Sequence, residues 1–281
     1  MDNLKGNIIV SGAGLCGTLM AIRLAQKNYK VSLYERRKDP RQDNAGGGRS
    51  INLALSDRGL KALNMIGARS FVDKMMIPMQ GRLIHSIDGE KKLYPYSGRK
   101  GEHINSISRA GLNELLLNLA DGENGVSIYF DNPIDEFDFE KTAIRTGQNS
   151  YVSHADAIIA ADGAGSAMRK SILKHSNKLR FNFSQSYLDT GYKELSLPPV
   201  NGDWAIEKNA LHIWPREGFM MIALPNIDQT FTLTLFMPFE GENGIQNLNE
   251  ETEILDFFET NFPDLKPVSY THLTLPTTSR V

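Results

Sequence analysis

Asn7-Ile-Ile-Val-Ser-Gly-Ala-Gly-Leu-Cys-Gly17, running on through a helical stretch to Val31-Ser-Leu-Tyr-Glu35, decides the fold. Ile8, Ile9 and Val10 form the short apolar run of a strand buried on both faces. Gly12, Gly14 and Gly17 follow with the spacing G-x-G-x-x-G. From Thr18 to Lys27, Leu19, Ile22, Leu24 and Ala25 recur at helical spacing, and Asn28 is placed to stop the helix. Val31, Leu33 and Tyr34 read as a second strand, closed by Glu35. Each glycine has a separate task in such a unit. Gly12 permits the tight turn, Gly14 admits a pyrophosphate close to the backbone, and Gly17 lets the helix pack against the sheet. The helix N-terminus offers free N–H groups to phosphate, and Glu35 stands where a carboxylate accepts from ribose hydroxyls. Glycines alone are weak evidence, but strand, helix and acid coincide here at about the ~20-residue distance of a dinucleotide site.

Working outward, composition bounds the rest. The 281 residues suffice for one large domain or two ordinary ones, and 41% hydrophobic with 23% charged residues is a globular balance. A formal net charge of -2 gives no electrostatic case for nucleic acid or an anionic membrane. The single cysteine, Cys16, excludes an internal disulfide and fits a reducing, cytoplasmic setting. Met1 to Gly6 lacks a secretory h-region, and no window approaches the ~18 apolar residues of a membrane span. The six histidines show no metal-ligand spacing, so no metal is expected.

After Glu35, residues 36–49 read as a polar loop containing Arg36, Arg37 and Gly46-Gly47-Gly48. Residues 50–56 alternate as a strand, and a helix is expected from Asp57 to Ile66. A hairpin is expected over Arg82–Ile87 and Lys92–Tyr96, turning at Asp88-Gly89. A helix is expected from Ser106 to Ala120, with strands at Val126–Phe130, Ile134–Phe139 and Tyr151–Val152. Ala155–Asp162 reads as a buried strand whose terminal Asp162 sits at the carboxyl end, where open α/β sheets bind ligands; capping the next helix is its plainer role. Beyond residue 178, four strand-like runs punctuated by prolines lead to a last helix at Glu250–Phe262. The expected fold is α/β, a Rossmann-like parallel sheet (residues 1–77 and 106–178) with a second, mainly antiparallel sheet (78–105 and 179–268).

The set Val10–Gly17, Arg49-Ser-Ile-Asn-Leu-Ala-Leu-Ser56, Ile84-His-Ser86, Ser106–Arg109 and Asp162-Gly163 resembles the class A flavoprotein aromatic hydroxylases. Leu211-His-Ile-Trp-Pro-Arg216, Phe219–Asn226 and Phe231–Glu240 resemble, more narrowly, the branch of that family that acts on L-kynurenine. The resemblance runs from about Gly6 to about Pro267. It implies FAD, NADPH and O₂ as reactants, oxygen delivered by a flavin C4a-hydroperoxide ortho to the ring amino group, and no catalytic side chain. It carries flavin contacts onto Leu15, Cys16, Glu35, Arg36, Arg37, Ala54, Arg109, Ile134 and Asp162, beside the loop glycines and Tyr34.

The resemblance further implies that Arg82 and Tyr96 hold the substrate carboxylate. A guanidinium is a planar fork for that group, and a phenol can donate beside it. The apolar wall would be Ile104, Leu211, Ile222, Leu224 and Phe236, each of which alone also reads as ordinary core. His85 and His212 read as strand residues rather than catalysts, and Cys16 as a small filler at a tight turn. The match stops short of the family's later flavin-contacting and pocket-closing segments, so the expectation is an interrupted hydroxylase. Residues 269–281 are Thr-rich, fall outside the resemblance and read as foreign read-through. The alternatives are another class A hydroxylase of a different aromatic acid, a noncatalytic binding protein on the same fold, or an inert fragment.

Overall fold

Ile8, Ile9 and Val10 are at most 7% exposed because their strand has strands on both sides and packing on both faces. The computed structural model describes residues 4–42, 51–99, 101–147, 150–152, 155–175, 180–265 and 279–280. In chain order its elements begin with β1 (Asn7–Ser11), α1 (Leu15–Ala25), β2 (Lys30–Tyr34), β3 (Asn52–Leu55), α2 (Asp57–Met65), α3 (Arg69–Val72), β4 (Ile77–Met79), β5 (Gly81–His85) and β6 (Lys91–Pro95). They continue with β7 (Ile104–Ser108), α4 (Arg109–Asp121), β8 (Val126–Tyr129), β9 (Ile134–Asp138), β10 (Ala143–Thr146), β11 (Ser150–Val152), β12 (Ala157–Ala160) and α5 (Ala167–Lys174). The last are β13 (Thr190–Leu197), β14 (Ala210–Arg216), β15 (Phe219–Pro225), β16 (Phe231–Pro238), α6 (Glu251–Asn261) and β17 (Ser279–Arg280). Two units result: Met1–Gly48, Leu60–Val72 and Ala110–Ser184 form one, and Arg49–Gly59, Asp73–Arg109 and Gln185–Val281 the other.

The first unit is built on a parallel sheet in the order β12-β1-β2-β8. Ile8, Val10, Val31 and Leu33 pack with Ala21 of α1 and Leu117 of α4 on one face. On the other, Ile9 and Tyr34 meet Phe137 and Ile144 from the three-stranded sheet β11-β10-β9. Burying each such side chain contributes roughly 1.5–3 kcal/mol, which is why the runs read as apolar rather than alternating. Asn28, left-handed at φ 66°, ends the turn after α1 where the sequence placed the stop.

The second unit carries a seven-stranded sheet in the order β17-β13-β16-β15-β14-β5-β6. Every pair in it is antiparallel except β14 with β5. Alternate residues fill its core face: Leu195, Leu233, Leu235, Met221 and Trp214 pack under Ile254, Phe258 and Phe262 from α6 and the turn after it. α6 starts from a reciprocal cap between Glu250 and Glu253.

Two readings of the sequence change. The expected helix from Ser106 begins at Arg109, because Ile104–Ser108 is a strand paired on both sides by β3 and β4. For the same reason residues 77–79 and 104–108 leave the large sheet and form, with β3, a separate three-stranded one. The glycine triplet at 46–48, Arg49 and most of 269–281 lie outside the described residues. Ser279 and Arg280 pair with β13. Among the described residues no helix is long and apolar enough to cross a membrane.

A Cβ at Gly17 would stand 1.9 Å from the Gly12 carbonyl oxygen. Gly17→Ala is therefore expected to destabilise the first unit by about 2 kcal/mol or more, as overpacking against backbone cannot relax through a rotamer. A urea midpoint equal to that of the parent chain would contradict this.

Candidate functional site

The loop between β1 and α1 is shaped by close backbone contacts. Gly12 has φ +95°, and a Cβ there would lie 2.6 Å from the Ala161 carbonyl oxygen and 2.9 Å from Asp162 Cα. Its N–H donates to the Tyr34 carbonyl at 2.7 Å, tying the turn to β2. Gly14 differs: a Cβ would meet nothing within 4 Å. Gly14 is also the N-cap of α1, and no side chain caps that helix. The first-turn N–H groups of Leu15, Cys16 and Gly17 thus have no intrahelical acceptor. An unfilled cradle over Gly14, at the positive end of a helix, is the arrangement that takes a phosphate.

The other groups named from the sequence divide between the two units. Glu35 accepts through one carboxylate oxygen from Ala13 N–H at 2.9 Å and through the other from Arg37 N–H at 3.0 Å. It braces the loop, and each oxygen keeps a lone pair for a ribose hydroxyl. Asp162 accepts from Ala167 N–H at 2.7 Å and Met168 N–H at 3.3 Å, so it caps α5 from the carboxyl end of β12. Arg36 and Arg37 are exposed, and a guanidinium nitrogen of Arg36 lies 3.9 Å from where a Gly165 Cβ would be. Cys16 is exposed rather than a buried filler. Tyr34 stacks on Tyr129 at 4.8 Å, and burial, followed by the Tyr129 charge, raises its pKa. Ile134 packs on the Tyr34–Phe137 cluster. Ala54 and Arg109 belong to the second unit, both exposed there, with Ala54 paired to Ser106.

In the second unit the register places Arg82 opposite Leu211, Ile222 opposite Thr234, Leu224 opposite Thr232 and Phe236 opposite Met220. By strand alternation, Arg82, Leu211, Ile222, Leu224 and Phe236 share the sheet face turned away from α6. Leu224 is 4% exposed, while Leu211, Ile222 and Phe236 are half-buried. Tyr96 follows β6, and the Arg82 guanidinium lies over its ring at 5.1 Å. The Tyr96 hydroxyl is buried with no hydrogen-bond partner among the described residues. Burial raises its pKa, and Arg82 pulls the other way. A buried phenol with an unused O–H beside an exposed guanidinium fits a carboxylate.

Ile104 stands in the smaller sheet, not the large one. A seam joins the two sheets: Ser106 Oγ donates to the Pro225 carbonyl at 2.8 Å, and Asn52 Nδ2 donates to the same carbonyl at 3.1 Å. A cavity of about 500 Å³ opens there, lined by Asn52, Ile77, Ser106, Pro225, Asn226 and Thr232 among others. None of the seven residues expected to bind substrate lines it. Asn52, Ser106 and Asn226 went unread as a seam, since Asn52 is separated from the other two by 54 and 174 positions.

A glycine loop between a parallel strand and an uncapped helix, braced by an acid at the end of β2, defines a dinucleotide-binding fold. Residues 5–261 match the family described as FAD binding domain, and the chain belongs to that family. It is 44% identical over 266 residues to kynurenine 3-monooxygenase of Sus scrofa, covering 94% of this chain and 55% of that protein. It is 41% identical to the enzyme of the same name from Drosophila melanogaster, covering 94% and 56%. The chain thus spans little more than half the length of these relatives. In fold it is similar to the tetrameric form of 2-methyl-3-hydroxypyridine-5-carboxylic acid oxygenase, with TM-score 0.76 and 20% identity over 98% of this chain and 69% of that one. It is similar also to P. aeruginosa PqsL, with TM-score 0.74 and 14% identity over 98% and 73%.

The cofactor of the family is FAD, and the open cradle at Gly14 fits its pyrophosphate. Gly14→Val is expected to keep the fold, losing at most about 1 kcal/mol at the N-cap, while flavin retention is abolished. Flavin absorbance and far-UV circular dichroism on the purified variant check the two halves; a yellow Gly14→Val protein would reject the assignment.

Proposed function

We propose that this chain carries the flavin and substrate sites of an FAD-dependent monooxygenase that converts L-kynurenine to 3-hydroxykynurenine with NADPH and O₂. The observation that carries the reading is the shared sheet face: Arg82, the unpartnered Tyr96 hydroxyl and the apolar set Leu211, Ile222, Leu224 and Phe236. Relatives that share 39–44% of its residues and bear the name kynurenine 3-monooxygenase support it. Bound FAD, reduced by NADPH, supplies the oxygen chemistry. The chain's own residues bind and orient. Gly14 and the first turn of α1 receive the pyrophosphate, Glu35 the ribose, and Arg36 and Arg37 neutralise charge at the loop. Asp162 holds the start of α5 beside that loop, and Ile134 is a further flavin contact in the same unit; Ala54 and Arg109 are flavin contacts by resemblance alone.

Substrate orientation falls to the second unit. Arg82 and Tyr96 fix the amino-acid carboxylate by a charged and a neutral donor, and the apolar side chains, with Ile104, hold the ring and exclude water. With the oxygen chemistry left to the cofactor, no side chain would be needed as nucleophile or strong base, and the chain's residues orient the ring and shield it from water. The single cysteine fits a cytoplasmic location.

Arg82→Met removes a charge-assisted contact worth roughly 1.5–3 kcal/mol. L-Kynurenine binding should weaken about 10- to 100-fold with FAD content unchanged. Unchanged affinity, measured by calorimetry on the FAD-loaded chain, would reject the carboxylate role.

A further inference from the structure

Two histidines that the proposed chemistry does not use are each 1% exposed, on the core face of the large sheet. His212 Nε2 lies 2.6 Å from the Glu207 carbonyl oxygen, and His212 Nδ1 lies 2.8 Å from His85 Nε2. His85 Nδ1 lies 2.8 Å from Asp264 Oδ2. These three contacts form one chain, and each needs one proton between its atoms. The Glu207 carbonyl only accepts, so His212 Nε2 carries a hydrogen and a neutral His212 accepts at Nδ1. His85 then donates at Nε2, and its Nδ1 faces a carboxylate. Two neutral imidazoles bring two protons to three bonds, so a third is held within the chain.

The surroundings place that proton. Asp264 accepts from Trp214 Nε1–H at 2.9 Å and has the Lys91 ammonium at 3.9 Å, the setting of an ionised carboxylate. Burial raises its pKa, but the His85 and Trp214 hydrogen bonds outweigh that and hold it below the usual value. Burial pushes His212 down to about 4, in keeping with a neutral ring. Among the described residues Arg216 also brings charge here; it donates to the His85 carbonyl at 3.1 Å and to the Asn261 carbonyl at 2.7 Å. His85 also stacks on Trp214 at 4.1 Å.

The location gives the chain a task. The hairpin β5–β6 joins the sheet through β14 alone, by its one parallel pairing. A tight turn fixes register in an antiparallel hairpin, whereas no such turn links β5 to β14. His85 and His212 bridge those two strands on one face, and Arg82 and Leu211 are neighbours on the other. We propose that His85 is a buried imidazolium bonded to Asp264 and His212, and that this bridge positions the hairpin so that Arg82 and Tyr96 stand in register on the sheet. That these two residues receive substrate rests on the function proposed above; the proton and the register do not.

Nitrogen-15 spectra of the full chain labelled in histidine should show three protonated nitrogens and one unprotonated, His212 Nδ1, in the coupled pair at neutral pH. Two neutral rings would overturn the proposal. In Asp264→Asn the amide oxygen still accepts from Trp214, while its nitrogen donates to an unprotonated His85 Nδ1. That variant should fold and show two protonated nitrogens; three would overturn the assignment. Amide exchange reads the positioning. The quantity compared is the ratio of exchange in β5 to that in β15 at one fixed pH. In His85→Leu the ratio should rise at least tenfold and L-kynurenine affinity fall at least tenfold, with FAD content unchanged; an unchanged ratio would overturn the bridge. Failure of the parent chain to bind L-kynurenine would remove the substrate reading, and the exchange ratio would still decide the bridge.

Discussion

The first unit depends on one approach of backbone to backbone. Gly17 comes so near Gly12 that the space a Cβ would need is already filled by a carbonyl oxygen. That approach presses α1 against the sheet and turns the chain sharply enough for Gly12 to sit at positive φ, itself against the end of β12. Two of the three glycines therefore serve the fold. Gly14, in ordinary extended conformation with open space above it, serves nothing in the protein's own packing. The G-x-G-x-x-G pattern thus combines a structural constraint with a reserved volume, and only the latter reports a ligand.

The second unit divides its work by strand parity. Successive side chains leave a strand on opposite faces, so each strand of the large sheet contributes both to the core under α6 and to the other face. On β15, Met221 and Ala223 are fully buried in that core, while Ile222 between them is half-buried. Half-buried aliphatic side chains beside a guanidinium, and a phenol unpartnered among the described residues, give that face apolar walls with a few polar groups, the general make-up of a small-molecule site.

How much of this could be read from the chain follows from how local each signal is. The β1–α1–β2 unit was legible because strand, glycines, helix and acid lie within one stretch whose periods change from strand to helix and back. Asp162 was legible as a cap for the same reason, and it accepts from the first N–H groups of α5. Ser106–Ser108 was not: small polar residues directly before a helical pattern look like its first turn, and only pairing with β3 and β4 makes them a strand. Arg82, Tyr96 and the apolar wall were named through resemblance, since nothing local marks an arginine in a hairpin as facing Leu211. The His85–His212–Asp264 chain was invisible, its members being separated by 127 and 179 positions.

Register is where the two faces become one problem. Sliding the β5–β6 hairpin along β14 by one residue would turn Arg82 into the core beside Trp214, at the cost of burying an unpaired charge, so packing alone forbids it. Sliding by two residues preserves parity. Gly81, Leu83 and His85 would still face the core, yet Arg82 would move by roughly 6.6 Å at ~3.3 Å per residue. Hydrophobic burial barely distinguishes these two registers, because it is non-directional. A hydrogen bond does: a His85–His212 contact of 2.8 Å cannot stretch over such a displacement, and breaking it strands two buried rings and a carboxylate. On the bridge proposed above, the His85–His212 contact on the core face thus sets where Arg82 stands on the opposite face.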